Sequence, residues 1–550
     1  MTMSHGQGAL GPDEADRLRP YVTNLDRRVF GLRNLPEVVK GALFSRYSRS
    51  PRDLRRILLD EFLDLHLQAG ELWQDSAGDR DVDVARARAD DFYDRVLVGY
   101  GDDSVAELAG AHIAVEQVSN LAAKALEDSR IGISPLEKST RYVRFDQPGQ
   151  FGHAYHRGGE LLSSPVAQTY LDVCDMLFET YADLLPKVVA WVRRCHPPQP
   201  AVGERAYNSA TRAKAFDLVR GLLPASTLTN VGLYGNGRAF EYLLNKLAAD
   251  ELPECRGLAT EMHGELVQLI PSFVHRALDQ RYGQPQVEHL RHLRASARAA
   301  ARSVDLTFAA PAPTVRLVDY DLQAVVKVVS ALLYPELGAD LATVRESVAN
   351  LESRRRAEIV AMAMAGRGNR RHKPPRAFEA IYYTFEIVAN FGAYRDLQRH
   401  RMLTQHRQLL GSDLGYDMPN ALADAGLSDP FEGAMERAAE GHRALASELG
   451  PVLAQYVVPL AFRMRWSVQM NLREVYHMCE LRSARQGHAD YRLVAQQIYR
   501  EVHSVHPELI GHASFVDLSS SAELERIEAE AKLDARLTQL PSGQIVPADC

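Results

Sequence analysis

RGLLPASTLTNVGLYGNGRAFEYLLNKL, Arg220 to Leu247, and QYVVPLAFRMRWSVQMNLREVYHMCELR, Gln455 to Arg482, are two versions of one segment. Pro224 and Pro459, Asn236 and Asn471, and Arg238 and Arg473 coincide at one offset of 235 residues. A chain of 550 residues is too long for a single core, and self-similarity at a fixed offset means two diverged copies of one fold.

The repeat extends upstream of both segments. DDSVAELAGAHIAVEQVSNLAAKALEDSR in the first half matches PPRAFEAIYYTFEIVANFGAYRDLQRHR in the second, with Glu107 aligned to Glu379. After each glutamate, apolar residues recur at spacings of three and four, which predicts an amphipathic or buried helix with an arginine-bearing segment at or just beyond its end. His275 to Ser303 reads as helix, and AAPAPT, Ala309 to Thr314, breaks it with two prolines, which fix φ and lack an N–H. A boundary near residue 312 follows. VRLVDYD, Val315 to Asp321, reads as the opening strand of the second copy, and Val166 to Arg194 and Phe431 to Leu453 read as long helices. The expected organisation is a disordered tail over 1–19, a first copy over 20–312 with a helical linker over 275–312, a second copy over 313–520 and a C-terminal tail over 521–550. The fold class is α+β, helix-rich, as two tandem domains.

Composition bounds the function. The chain is 46% hydrophobic and 25% charged, with a net charge of −7, so it has no global attraction to nucleic acid. Apolar stretches such as Val315 to Leu333 are interrupted by Arg316, Asp319, Asp321 and Lys327, short of the roughly 18 unbroken apolar residues of a membrane span. Met1 to Arg19 lacks the apolar core of a secretory signal. Cys174, Cys195, Cys255, Cys479 and Cys550 lie far apart with no CxxC pair, which fits a reducing cytoplasm and neither a zinc ribbon nor a disulfide framework. No His and carboxylate spacing matches a metal motif, so no metal is expected.

The residues resemble flavin-dependent thymidylate synthases, whose signature RHRxxSxNExSxRY is followed by an R-x-V-L-P segment and an N-x-R with a further arginine. SRIGISPLEKSTRY, Ser129 to Tyr142, keeps the signature's tail as Ser134, Glu137, Ser139, Arg141 and Tyr142, while Ser129, Arg130 and Ile131 replace its head. RHRMLTQHRQLLGS in the second copy keeps the head as Arg399, His400 and Arg401 and places Arg407, Leu409 and Gly411 where the tail belongs. The first copy retains Arg220, Asn236 and Arg238 but has Leu247 for the later arginine; the second retains Asn471, Arg473 and Arg482 but has Gln455 for the arginine before V-V-P. The family's upstream histidine is replaced by Asp102 in the first copy, and His372 stands near its place in the second. His488 resembles the histidine after the last arginine.

That resemblance implies reductive methylation of deoxyuridine monophosphate with flavin adenine dinucleotide, methylenetetrahydrofolate and NADPH. It implies flavin contacts at Arg399, His400, Arg401, Asn471, Arg473, His488 and His372, nucleotide contacts at Ser139, Arg141, Glu137 and Arg220, and a catalytic role for Arg482. Arginine suits such anions because its planar fork donates two parallel bonds. The complementary losses suggest one composite site from the tail of copy one and the head of copy two, with Gln455 as the objection. Dimers acting as a pseudo-tetramer are expected. The contrary reading is a non-catalytic flavin- or nucleotide-binding protein with a regulatory or assembly role. RGNRRHKPPR, Arg367 to Arg376, is a basic loop that suits a polyanion or is simply solvated, and its lack of interleaved aromatics disfavours RNA. Ser139 and Arg141 have a bland alternative as turn residues, the RHR triplet as a helix end, and His477 and His488 as structural histidines.

Overall fold

The computed structural model describes residues 10–27, 29–35, 37–47, 52–63, 106–129, 131–141, 143–150, 152–200, 202–306, 314–520, 524 and 526–538. Asp102, Arg130, Tyr142, Cys550 and the expected boundary near residue 312 lie outside them.

In the first half, β1 (Gly110–Ser119) leads into α1 (Asn120–Glu127) and β2 (Ile133–Glu137). Helices α2 (Ala167–Cys195) and α3 (Glu204–Val219) precede β3 (Leu228–Asn236) and α4 (Gly237–Ala248). The second half opens with β4 (Val315–Tyr320), then runs through β5 (Tyr382–Asn390), α5 (Phe391–Leu397), β6 (Thr404–Arg407), α6 (Ser428–Leu449), β7 (Arg463–Asn471), α7 (Leu472–Arg482) and α8 (Ala489–Val505). The sheets have the order β1-β3-β2 and β4-β5-β7-β6, so the second repeats the first with β4 added at its edge. Register repeats as well: Ser134 faces Tyr234 and Glu137 faces Val231 in one half, and Thr404 faces Gln469 and Arg407 faces Trp466 in the other.

The stretches after Glu107 and Glu379 correct the sequence reading, because each begins as a strand and turns helical only later. β5 buries alternate residues, as YYTFEIV, rich in aromatic and β-branched residues, favours on a pleated surface. The change to helix comes at a capping side chain. Asn390 accepts from Ala393 N at 2.8 Å, and the Ser119 hydroxyl accepts from Ala122 N at 3.0 Å. Asn236 and Asn471 cap α4 and α7 in the same way, at 2.9 and 2.8 Å. The aligned charges also form matching pairs, Arg238 with Glu107 at 2.7 Å and Arg473 with Glu379 at 2.6 Å.

Two expected tails contain structure. Pro12–Leu18 is helical, with Pro at its start, Asp13 and Glu14 in its first turn and Leu18 fully buried. Ile527–Thr538 is helical near the C-terminus. The expected helix from Phe431 to Leu453 breaks at Gly450, whose φ of 81° is a left-handed conformation that glycine adopts without a Cβ clash.

Contacts group the chain into two compact units that do not follow chain order. One takes Met1–Glu116, Ala125–Glu137 and Asn230–Asp305; the other takes Gln117–Lys124, Lys138–Thr229 and Leu306–Cys550. In the first, Leu18, Leu43, Ile57 and Leu58 form a small apolar core. In the second, the two repeated P-containing segments meet as a short antiparallel ladder. Ala225 N donates to Val458 O at 2.8 Å and Leu460 N to Leu223 O at 2.9 Å; Ser226 N donates to Tyr456 O and Ala461 N to Gly221 O, both at 3.0 Å. Each bond maps onto its partner when residues exchange by the 235 offset, and Pro224 faces Pro459 at the centre. This is a local two-fold axis inside one chain, with the self-complementary contacts of an isologous dimer.

Candidate functional site

Beside this ladder, Arg220 of the first half meets Asp396 of the second. Arg220 caps the C-terminus of α3 and is 4% exposed. Its Nη1 lies 3.9 Å from Asp396 Oδ2, and its Nη2 is buried with no hydrogen-bond partner among the described residues. Gly392 packs against this guanidinium: a Cβ there would lie in ordinary contact, 3.4 Å from Arg220 Nη2, and 3.2 Å from Asn390 Oδ1. Burial works against the charge on Arg220 and lowers its pKa, while Asp217 and Asp396 partly restore it.

Asp396 gathers three cations. Arg399 Nη2 donates to its Oδ1, Arg482 Nη1 lies 3.8 Å away, and Arg220 approaches from the first half. Burial alone would raise this carboxyl, but Arg399, Arg220 and Arg482 together hold it far below its usual range. A second buried pair lies alongside: Arg141 Nε and Nη2 donate to the two Asp217 oxygens at 2.6 and 2.5 Å. Arg141 Nη1 also reaches Tyr491 Oη at 3.3 Å, and the Arg482 guanidinium stacks 5.6 Å from the Tyr491 ring. Arg141, Arg220, Arg399 and Arg482 therefore surround one region of the second unit. Beside Asp396, three residues before Arg399 in the second half, stands Arg220 of the first half.

A narrow crevice with about 20 Å³ of free volume, room for roughly one water molecule, opens here, lined by Asp217, Arg220, Asn390, Asp417, His488 and Asp490 with Leu218, Leu460 and Ala461. His488 caps α8: its Nδ1 accepts from Asp490 N at 3.2 Å, so the neutral ring donates Nε2–H to Asp217 O at 3.1 Å. Burial, with Arg220 close by, lowers its pKa. Asn390 Nδ2 donates to Asp417 Oδ2 at 3.0 Å and Asp490 Oδ2 at 2.7 Å, which fixes both acids at the rim.

His400 is fully enclosed. Its Nδ1 donates to Glu474 Oε1 at 2.6 Å, and its Nε2 accepts from Arg482 Nε at 3.0 Å. Burial pushes its pKa down to about 4, while burial raises Glu474 and the bonds from His400 and His477 bring it down to about 2. His400, Glu474 and His477 lie close enough to surround a metal ion, but both His400 nitrogens are already engaged and the Arg482 charge adjoins them.

The neutrality of His400 has a pH consequence. The unfolded histidine takes a proton near 6.5 and the folded one only near 4, so stability falls as pH drops through that window, by roughly 3 kcal/mol. Glu474 adds its own loss only below 4.5, towards 2. Urea midpoints measured from pH 7 to pH 4.5 check this, and His400→Gln should flatten the slope; an unchanged slope would assign it to another group.

The remaining expected site residues are placed elsewhere or turned inward. Asn471 caps α7, and Arg473 donates to Pro374 O at 2.9 Å besides pairing with Glu379. His372 is bound within its own exposed loop by Gly368 N and Asn369. The Ser139 hydroxyl accepts from Arg141 N at 3.2 Å, as a turn residue does. Glu137 ends β2 in the first unit, and Arg401 is exposed. In the basic loop, Arg367 points inward onto Glu480 at 2.8 and 2.9 Å, leaving Arg370, Arg371 and Lys373 at the surface. Asp217, Asp396 and Asp490 were not singled out from sequence. D-L-x-R occurs at Asp217–Arg220 and at Asp396–Arg399, but also at Asp53–Arg56 outside the site, so the motif alone could not have found these acids. Burial pushes the Cys174 thiol up to about 12 and raises Cys479 further, so neither is a thiolate at neutral pH.

Among the described residues, no helix is long and apolar enough to cross a membrane. Residues 63–272 and 316–508 each match the family described as thymidylate synthase complementing protein. A UPF0159 protein of Chlamydia muridarum is 44% identical over 96% of this chain and 99% of its own length. A second, Ta1429 of Thermoplasma acidophilum, is 34% identical over 90% of this chain and 99% of its own. A crystal structure of a UMP/dUMP methylase from Streptomyces cacaoi bound with 5-Br dUMP aligns at 19% identity over 38% of this chain and 96% of that one, with a TM-score of 0.30, too low to place a fold. Two matched regions covering most of the chain, joined by an internal two-fold ladder, make this chain a tandem member of the thymidylate synthase complementing protein family.

Proposed function

We propose that the protein is a thymidylate synthase-like methyltransferase that binds deoxyuridine monophosphate with its phosphate at the crevice headed by Arg220. The observation that carries this reading is the buried Arg220 Nη2, which has no hydrogen-bond partner among the described residues and whose desolvation is offset once an anion accepts from it. The nucleotide's phosphate is that anion. Asp396 orients Arg220, Arg141 is locked on Asp217 behind it, and neutral His488 with Asp490 and Asn390 offers polar atoms at the rim. The methyl group and hydride would come from methylenetetrahydrofolate and reduced flavin, with NADPH as the reductant. A cytoplasmic homo-oligomer belongs to the same reading.

Flavin adenine dinucleotide fits the described residues less well than the nucleotide does. His400, Asn471, Arg473, His372, His488 and Arg399 each commit a polar atom to a protein partner. That mismatch favours the second reading, a nucleotide-binding protein without catalysis. An absorbance titration with flavin adenine dinucleotide separates the two. Saturable binding that Arg399→Ala weakens at least tenfold, with tritium release from labelled deoxyuridine monophosphate, supports the enzyme. Nucleotide binding without flavin binding leaves the non-catalytic protein.

A further inference from the structure

The geometry points to one nucleotide site per chain, although the chain carries two copies of the fold; this rests on the nucleotide reading of the Arg220 crevice. The internal two-fold gives each site residue a counterpart. The 235 offset carries Arg220 onto Gln455 and Asp217 onto Val452, and the shared strand register carries Arg141 onto Gly411. One arginine is thus exchanged for an amide, and the buried Arg141–Asp217 pair for a glycine and a valine. Arg482 corresponds in sequence to Leu247, so the later arginine is missing as well.

The decisive contrast is in hydrogen bonding at the two mate positions. Arg220 is buried with a donor left over. Gln455, 8% exposed, already engages both of its polar atoms within the protein: its Oε1 accepts from Leu410 N and its Nε2 donates to Val452 O, both at 3.0 Å. A buried atom with no partner at all is costly and is relieved by a ligand, whereas an amide bonded through both of its polar atoms carries much less of that cost. Gln455 instead ties the segment after β6 to the turn before β7. Gly411 beside it leaves only 3.3 Å between an added Cβ and His442, where an arginine would not fit without a shift. The second position has become structural.

Equilibrium dialysis of the full chain with radiolabelled deoxyuridine monophosphate tests this. One nucleotide bound per chain is the expected result. Arg220→Gln, which installs the side chain that its mate position already buries, should then remove saturable binding altogether, with affinity reduced at least tenfold. Two nucleotides per wild-type chain, or an Arg220→Gln variant that keeps half of the sites at the original affinity, would overturn the inference while leaving the nucleotide reading intact. No binding by the wild-type chain would overturn the nucleotide reading and the inference with it. Far-ultraviolet circular dichroism of the variant confirms that loss of binding is not loss of fold.

Discussion

Asp396→Ala lowers the stability of the folded chain by about 3–5 kcal/mol, the cost of leaving buried charge without its partner. The expectation follows from the company this carboxylate keeps: Arg220, Arg399 and Arg482 all lie within reach of its two oxygens, and its side chain is 16% exposed. Without it three guanidinium groups repel one another in a region where water screens them poorly. Asp396→Asn preserves shape and removes only the charge, so it should be destabilised too. Urea unfolding at pH 7 gives the number, with a second check in salt. High salt should recover part of the loss in Asp396→Ala, because anions screen the orphaned arginines. A variant within about 1 kcal/mol of wild type would mean that the arginines find water or other acids, and that Asp396 is not their organiser.

The second large effect is on ligand binding. Deoxyuridine monophosphate present at a hundred times its dissociation constant should stabilise the wild-type chain by about 2.7 kcal/mol, since it binds only the folded state. In Arg220→Lys at the same nucleotide concentration that gain should fall to between about 1.4 and about 0.3 kcal/mol. Lysine keeps the positive charge but loses the planar fork, and a lost charge-assisted bond of about 1.5–3 kcal/mol corresponds to roughly 10- to 150-fold in affinity. Stability without ligand should change little, because the bond missing from Arg220 Nη2 is missing in the wild type as well. Equal stabilisation of both proteins by the nucleotide would move its phosphate away from Arg220.

Much of this site was visible in the sequence, and its limits have a physical cause. The offset of 235 residues placed Pro224 opposite Pro459 and matched Arg238 with Arg473, and the structure gives these pairs equivalent surroundings, down to matched ion pairs with Glu107 and Glu379. Local pattern was a poorer guide immediately upstream, where GAHIAVEQVS has apolar residues at both helical and strand spacings and only sheet pairing decides between them. Acid partners were harder still. Asp217 lies 76 residues from Arg141, and Asp396 lies 176 from Arg220, so neither pairing leaves a mark in local spacing. The same limit explains His400, Asn471 and Arg473, which match a family motif by type and order while their polar atoms are spent on Glu474, a helix cap and Glu379.

The ladder between residues 221–226 and 456–461 joins two parts of one polypeptide. In an assembly of separate identical subunits such a seam would come apart on dilution, and any substitution would alter both of its sides at once. Covalent connection removes both constraints. The two strands meet at an effective concentration set by the intervening chain rather than by the number of molecules in solution, so this seam should persist at nanomolar protein. A change at Arg220 likewise leaves Gln455 untouched, which lets the two sides of the axis follow separate histories.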